Sequence, residues 1–125
     1  MRLLLDTHAL LWALAEPKRL STTAREAITS ADSVVLASSA SAWEIAIKRA
    51  LGKLEAPADL EAVLDQTGIE TLPITVAHAL AAGALPLLHS DPFDRMLVAQ
   101  ARIEGLTLVT RDPHLGAYDV AVLDA

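Results

Sequence analysis

Four acidic residues in this 125-residue chain, Asp6, Glu44, Asp94 and Asp112, stand beside apolar runs or helix starts, where a fold can gather carboxylates from distant positions. Gathering them is unfavourable without a counter-ion, because two carboxylates about 4 Å apart repel by roughly 4 kcal/mol at an effective dielectric near 20. A divalent cation resolves that conflict. The chain has no cysteine, and its histidines, His8, His78, His89 and His114, show no ligand spacing, so the donor set is one of hard oxygens suited to Mg²⁺ or Mn²⁺ rather than zinc. Such an ion links carboxylates to a phosphodiester oxygen and lowers the pKa of a bound water. The chemistry implied is metal-assisted hydrolysis.

The elements that must position these groups follow from the apolar pattern. Short apolar runs at Arg2 to Leu5, Ser33 to Ala37, Ile69 to Leu72, Leu106 to Val109 and Val120 to Leu123 predict five strands, alternating with longer helical stretches. That alternation indicates an α/β fold: three layers, helices either side of a central, mostly parallel sheet of about five strands. Asp6 and Asp112 then fall just past the carboxyl ends of strands. Glu44 and Asp94 are expected in the first turns of helices, whose amino ends lie at that same sheet edge, where open parallel sheets carry their ligand crevices. Ser41 with Glu44 and Thr23 with Glu26 read as capping boxes, Asp91-Pro92 as a helix start, and Gly52, Gly68 and Gly105 as helix stops.

Each candidate has a structural alternative. Glu44 and Asp94 would serve as helix caps in any protein, whereas Asp6 has no evident structural duty at the end of a strand. Asp112-Pro113 also reads as a turn, with Asp accepting local backbone hydrogen bonds. Thr110 is placed to orient Asp112 or a substrate group. Arg95 and Arg111, sequence neighbours of site carboxylates, pair with an acid or meet phosphate. The histidines read as structural, with His8 nearest the site, and Trp12 as an anchor of a core or dimer face.

Bulk composition narrows the function classes. The length suits a single domain over residues 1–125. Formal net charge is −6, from 10 basic and 16 acidic residues, which opposes a broad positive surface for nucleic acid and requires any such contact to be local. The small basic groups Lys18-Arg19 and Lys48, Arg49 and Lys53 read as solvated helix faces. Apolar residues make up 53% of the chain and the mean hydropathy is +0.39, which predicts an apolar patch covered by another subunit or partner. Absence of cysteine makes a reducing cytoplasm the simplest location. The opening Met1 to Ala15 mimics a secretory leader, but Asp6 and His8 interrupt it and it reads as mature protein. No run reaches the roughly 20 apolar residues that span a bilayer.

Leu3-Leu4-Leu5-Asp6-Thr7-His8, Ser41-Ala42-Trp43-Glu44, Asp91-Pro92-Phe93-Asp94-Arg95 and Thr110-Arg111-Asp112 resemble, in order and spacing, the successive motifs of PIN-domain nucleases. More narrowly the chain resembles the VapC toxins of type II toxin–antitoxin systems, from the first strand to the last. The stretch from Asp91 through Ala101, with His89 just upstream, is the most characteristic. The resemblance implies a Mg²⁺-dependent endoribonuclease, forming a homodimer that is bound by a VapB-like antitoxin. It carries the metal-ligand role to Asp6 and Asp94, completed by Glu44 and, with the least uniform motif, Asp112.

Other classes fit less well. A phosphorylated receiver needs paired early acids, an acceptor Asp after its third strand and a late lysine, where this chain has Leu72-Pro73 and no late lysine. A haloacid-dehalogenase-like phosphatase needs a second Asp two residues after the first, and His8 stands there. The alternative within the fold, a catalytically inactive PIN-like module that binds RNA or protein, is opposed by an intact acidic quartet.

Overall fold

A computed structural model describes all 125 residues. Five strands, β1 (Arg2–Leu5), β2 (Val34–Ser38), β3 (Glu70–Leu72), β4 (Thr107–Thr110) and β5 (Val122–Asp124), form one sheet in the order β3-β2-β1-β4-β5. Every neighbouring pair is parallel, with Leu4 level with Leu36 on one side and with Leu108 on the other. Six helices connect or flank the strands: α1 (Thr7–Ala15), α2 (Thr22–Thr29), α3 (Ser39–Ala50), α4 (Leu60–Thr67), α5 (Val76–Ala84) and α6 (Pro92–Glu104). The five predicted strands are present to within two residues at either end.

Strand alternation divides the core into two layers. Leu3 and Leu5 of β1, Val35 and Ala37 of β2 and Val109 of β4 face one layer, with Ala9 and Leu10 of α1, Ala24 of α2 and Leu64 of α4. Leu4, Leu36 and Leu108 face the other, against Leu97, Val98 and Ala101 of α6. Such continuous apolar strands, buried on both faces, are what a parallel sheet between two helical layers requires. Helix α3 reaches both layers, through Ala40 and Ile45.

The chain runs outward from β1 through β2 to β3, then returns across the sheet to β4 on the other side of β1. The order therefore reverses between β1 and β4, and at their carboxyl ends the connecting loops must diverge and leave a crevice. Asp6 follows β1 and Asp112 follows β4 at that point.

Local signals were partly misassigned by sequence reasoning. Helix α6 starts as predicted, with Pro92 first and the Asp91 carboxylate accepting from the amides of Phe93 and Asp94, and Gly68 and Gly105 end their helices in the left-handed conformation. The two expected capping boxes are absent. Helix α2 is capped by Ser21 and α3 by Ser38, so Ser41 lies inside α3 and Glu44 in its second turn rather than its first. Both helices begin earlier than the box motif suggested because a serine at the preceding turn already serves their free amides. A capping box does form at α5, from Thr75 and His78.

Candidate active site

Asp6 is the last residue before α1, and it has the structural duty that sequence reasoning denied it. Its Oδ1 accepts the amide of Ala9 at 2.8 Å as the helix cap, while Oδ2 accepts the Thr110 hydroxyl at 2.6 Å. Thr110 in turn accepts the amide of Asp112 at 3.1 Å, so one buried hydroxyl at the end of β4 orients both strand-end carboxylates. Burial drives the Asp6 carboxyl above its ordinary pKa, against the lowering effect of Thr110 and the Ala9 amide.

Glu44, also buried, reaches the crevice from α3. Its Oε1 accepts the hydroxyl of Thr7 at 2.6 Å, and Thr7 also lies 3.1 Å from the hydroxyl of Ser41, one turn before Glu44. Its Oε2 lies 2.6 Å from the Nζ of Lys48, one turn later on the same helix. Lys48 is therefore turned into the crevice and is not part of a purely solvated face. The hydrogen bond to Glu44 raises the Lys48 pKa and keeps the ammonium charged. Its signal in the sequence was the i, i+4 spacing from Glu44, the separation at which helical side chains of opposite charge meet.

Asp94, in the first turn of α6 as expected, has a different partner. Its Oδ2 lies 2.9 Å from the Nε2 of His89. Its carboxyl is pushed up to about 6, first by burial and then by the fields of Asp91, Asp6 and Glu44, in spite of the His89 hydrogen bond. Asp112, more exposed, goes the other way. Some burial acts to raise it, but the amide and ring nitrogen of His114, both bonded to Oδ1 at 2.9 and 2.8 Å, bring it below its ordinary value. The turn reading of Asp112 is thus correct alongside its place in the crevice.

Two histidines that sequence spacing set aside converge here. His89 lies 3.6 Å from the Oδ2 of Asp112, and its ring stacks on His114 with centroids 5.3 Å apart. Positions 25 apart on two loops carry no local motif, so only the meeting of the α5–α6 loop with the β4–β5 loop brings them together. His78 is buried and structural, bonded to the Thr75 amide and to Glu104. Neither arginine pairs with an acidic side chain. Arg95 binds the carbonyls of Ala82, Leu85, Pro86 and His89, and Arg111 those of Arg19 and Ala125. Both Arg19 and Arg111 lie over the ring of Trp12, cation–π contacts that hold it at the crevice edge.

Asp6, Glu44, Asp94 and Asp112 all line one crevice of about 350 Å³, together with Thr7, His8, Trp12, Lys48, Asp91, Arg111 and Pro113. Five carboxylates thus face two basic side chains, of which Arg111 is already committed to carbonyls. Oxygen donors, a deficit of positive charge and two carboxyls held above their normal pKa fit a divalent cation of the Mg²⁺ class.

A doubly wound α/β fold with an acidic crevice at its switch point is the class of protein these observations define. The PIN domain family model matches residues 3–121. Ribonuclease VapC22 of Mycobacterium tuberculosis is 37% identical over 119 residues, which cover 92% of this chain and 90% of that protein. Among solved structures, VapBC2 from Rickettsia felis, described as bound to a DNA fragment from its promoter, superposes with a TM-score of 0.73 at 17% identity, covering 98% of both chains. DNA-bound VapBC from Salmonella typhimurium gives 0.67 at 19% identity, over 99% of this chain and 98% of that one. The chain belongs to the PIN domain family, in its VapC branch.

Proposed function

We propose that this chain, acting as a single domain over residues 1–125, is the toxin of a type II toxin–antitoxin pair and a Mg²⁺-dependent endoribonuclease. The observation that carries the reading is the convergence of Asp6, Glu44, Asp94 and Asp112 on one crevice at the sheet's switch point. These four residues would hold the metal, with Mn²⁺ able to replace Mg²⁺. When bound, the ion supplies Lewis acidity toward a phosphodiester oxygen and a water activated near neutral pH.

The chain's own residues fix the donors. Thr110 and the Ala9 amide lock the Asp6 carboxylate, and Thr7 locks one oxygen of Glu44, so each keeps its remaining lone pairs directed at the crevice. Lys48 neutralises part of the acidic field and offers the ammonium closest to these carboxylates for a phosphate oxygen. An overall acidic protein thereby meets RNA locally, without a broad basic surface. Against an inactive RNA- or protein-binding module stands the presence of four clustered carboxylates that repel one another and, in Asp6 and Asp94, lie above their normal pKa.

The partners follow from surface and kinship. Leu87 is 90% exposed and Leu80 71%, beside a groove lined by Ala81, Ala84, Leu88 and Ile103. Apolar area of this kind calls for cover; the likeness to solved VapBC complexes supports a VapB-like antitoxin as one occupant, and a second copy of this chain is the other occupant proposed. No helix is long and apolar enough to cross a membrane.

Purified protein incubated with RNA should cut it in millimolar Mg²⁺ and stop in EDTA. Glu44→Gln should abolish most of that cleavage while keeping the Thr7 hydrogen bond and the fold. Cleavage that persists in EDTA, or a fully active Glu44→Gln, would refute the assignment.

A further inference from the structure

At the outer rim of the crevice, His89, Asp112 and His114 bring two imidazole nitrogens and one carboxylate oxygen within 4.8 Å of one another. From this geometry we propose a second cation site, specific for borderline transition metals of the Zn²⁺, Co²⁺ and Ni²⁺ group, adjoining the hard-oxygen site and sharing Asp112 with it. Imidazole donors favour these ions over Mg²⁺, which prefers oxygen and retains its waters.

The spacing suits a tetrahedral ion. With metal–ligand distances of about 2.0–2.2 Å, ligand atoms lie about 3.4 Å apart along a tetrahedron edge. His114 Nδ1 lies 2.8 Å from Oδ1 of Asp112 and His89 Nε2 lies 3.6 Å from its Oδ2, and with the donor atoms within 4.8 Å of one another small side-chain rotations bring one oxygen and both nitrogens to that spacing. Three protein ligands leave a fourth position for water. The backbones are also held in place. The Asp112 amide donates to Thr110, the His114 amide to Asp112, the His89 amide to the Tyr118 hydroxyl, and Arg95 donates to the His89 carbonyl. The two rings stack with planes 10° apart, so at least one must turn about its side-chain bonds to bring the ion into both ring planes.

Occupancy has a price at the neighbouring site. The Nε2 of His89 must leave Asp94 to bind the ion, and Asp112 becomes shared. A transition metal at the rim therefore withdraws one carboxylate and one positioning hydrogen bond from the acidic crevice, and inhibits Mg²⁺-supported cleavage. This inhibition rests on the nuclease reading above, whereas metal binding at the rim does not.

Isothermal titration with Zn²⁺ in a millimolar Mg²⁺ background separates the two. Wild type should bind one Zn²⁺ per chain through this site. His114→Ala, at a side chain 65% exposed, should weaken binding by at least about 10-fold without unfolding the protein, since even an indirect partner of a metal ligand commands roughly that much. Glu44→Gln should leave the Zn²⁺ isotherm unchanged while removing cleavage. Absence of Zn²⁺ binding in Mg²⁺, wild-type affinity in both His114→Ala and His89→Ala, or loss of binding in Glu44→Gln would overturn the rim site. Failure of the nuclease reading would appear instead as no Mg²⁺-dependent cleavage, with the Zn²⁺ isotherm and its His114 dependence intact.

Discussion

The two walls of the crevice hold their carboxylates by different means. On the inner wall Asp6 and Glu44 are buried and receive hydroxyl, amide and ammonium donors from Thr110, Ala9, Thr7 and Lys48, none of which loses its proton near neutral pH. On the rim wall Asp94 and Asp112 are more exposed and are partnered by His89 and His114. The inner donors sit on β4, α1 and α3, while the rim histidines come from two loops, the α5–α6 and β4–β5 connections. The inner wall is therefore a rigid donor set and the rim an adjustable one.

The sharpest break in that comparison concerns activity. Asp6→Asn retains the helix cap, since Asn caps as well as Asp, but should lose cleavage by about 100-fold or more, at the upper end of the roughly 10–100-fold that even indirect partners of metal ligands command. Asp112→Asn should lose only about 10-fold, because the rim carboxylate is shared with His114. Initial cleavage rates in saturating Mg²⁺ check both. Equal losses would erase the distinction between the walls.

Next in size is a pH effect on the metal-free protein. Asp94 titrates at about 6 when folded, against an ordinary value of 3.8. The folded state then binds more protons than the unfolded state between those values, so this group's contribution to stability falls as pH rises from about 4 to 6. The loss is at most about 3 kcal/mol, at 1.36 kcal/mol per unit. Asp6, raised by burial, acts in the same direction, whereas Asp112, lowered by His114, contributes stability above its unfolded pKa that is lost on acidification. Denaturation curves in EDTA across this range should show a shallower decline in Asp94→Asn than in wild type, and millimolar Mg²⁺ should flatten the wild-type curve.

Thr110→Val tests the hydroxyl that joins the walls. Removing it strands a buried Asp6 oxygen and the Asp112 amide, a cost of about 1–3 kcal/mol, and Thr110→Ser should restore most of it. The smallest effect is expected at Lys48, whose side chain is 39% exposed. Lys48→Met should lower the thermal midpoint of the metal-free protein slightly and enlarge the rise that Mg²⁺ produces, because the ion then relieves more repulsion. An unchanged Mg²⁺ response would mean that Lys48 contributes nothing to the field of the crevice.

Much of this arrangement was legible in the sequence because it depends on short-range order. Five apolar runs marked the strands, Asp91-Pro92 marked α6, and the alternation placed Asp6 and Asp112 at one sheet edge. The Ser41–Glu44 spacing misled, since a box pattern does not reveal that Ser38 already caps the helix. Thr7 could be noticed only as the residue after Asp6, and its bond to Glu44 spans 37 positions. The rim histidines were illegible for the same reason: loop–loop meeting is set by how β4 and α6 pack, and leaves no periodic trace.

The acidic crevice is a divalent-metal site drawing on both walls, and Mn²⁺ binding followed by the loss of its free-ion paramagnetic resonance signal tests this most directly. Wild type should take up Mn²⁺ and release it to excess Mg²⁺. Asp6→Asn and Asp94→Asn should each bind at least about 10-fold more weakly, while His114→Ala retains wild-type affinity. Identical Mn²⁺ binding in wild type, Asp6→Asn and Asp94→Asn would contradict the claim.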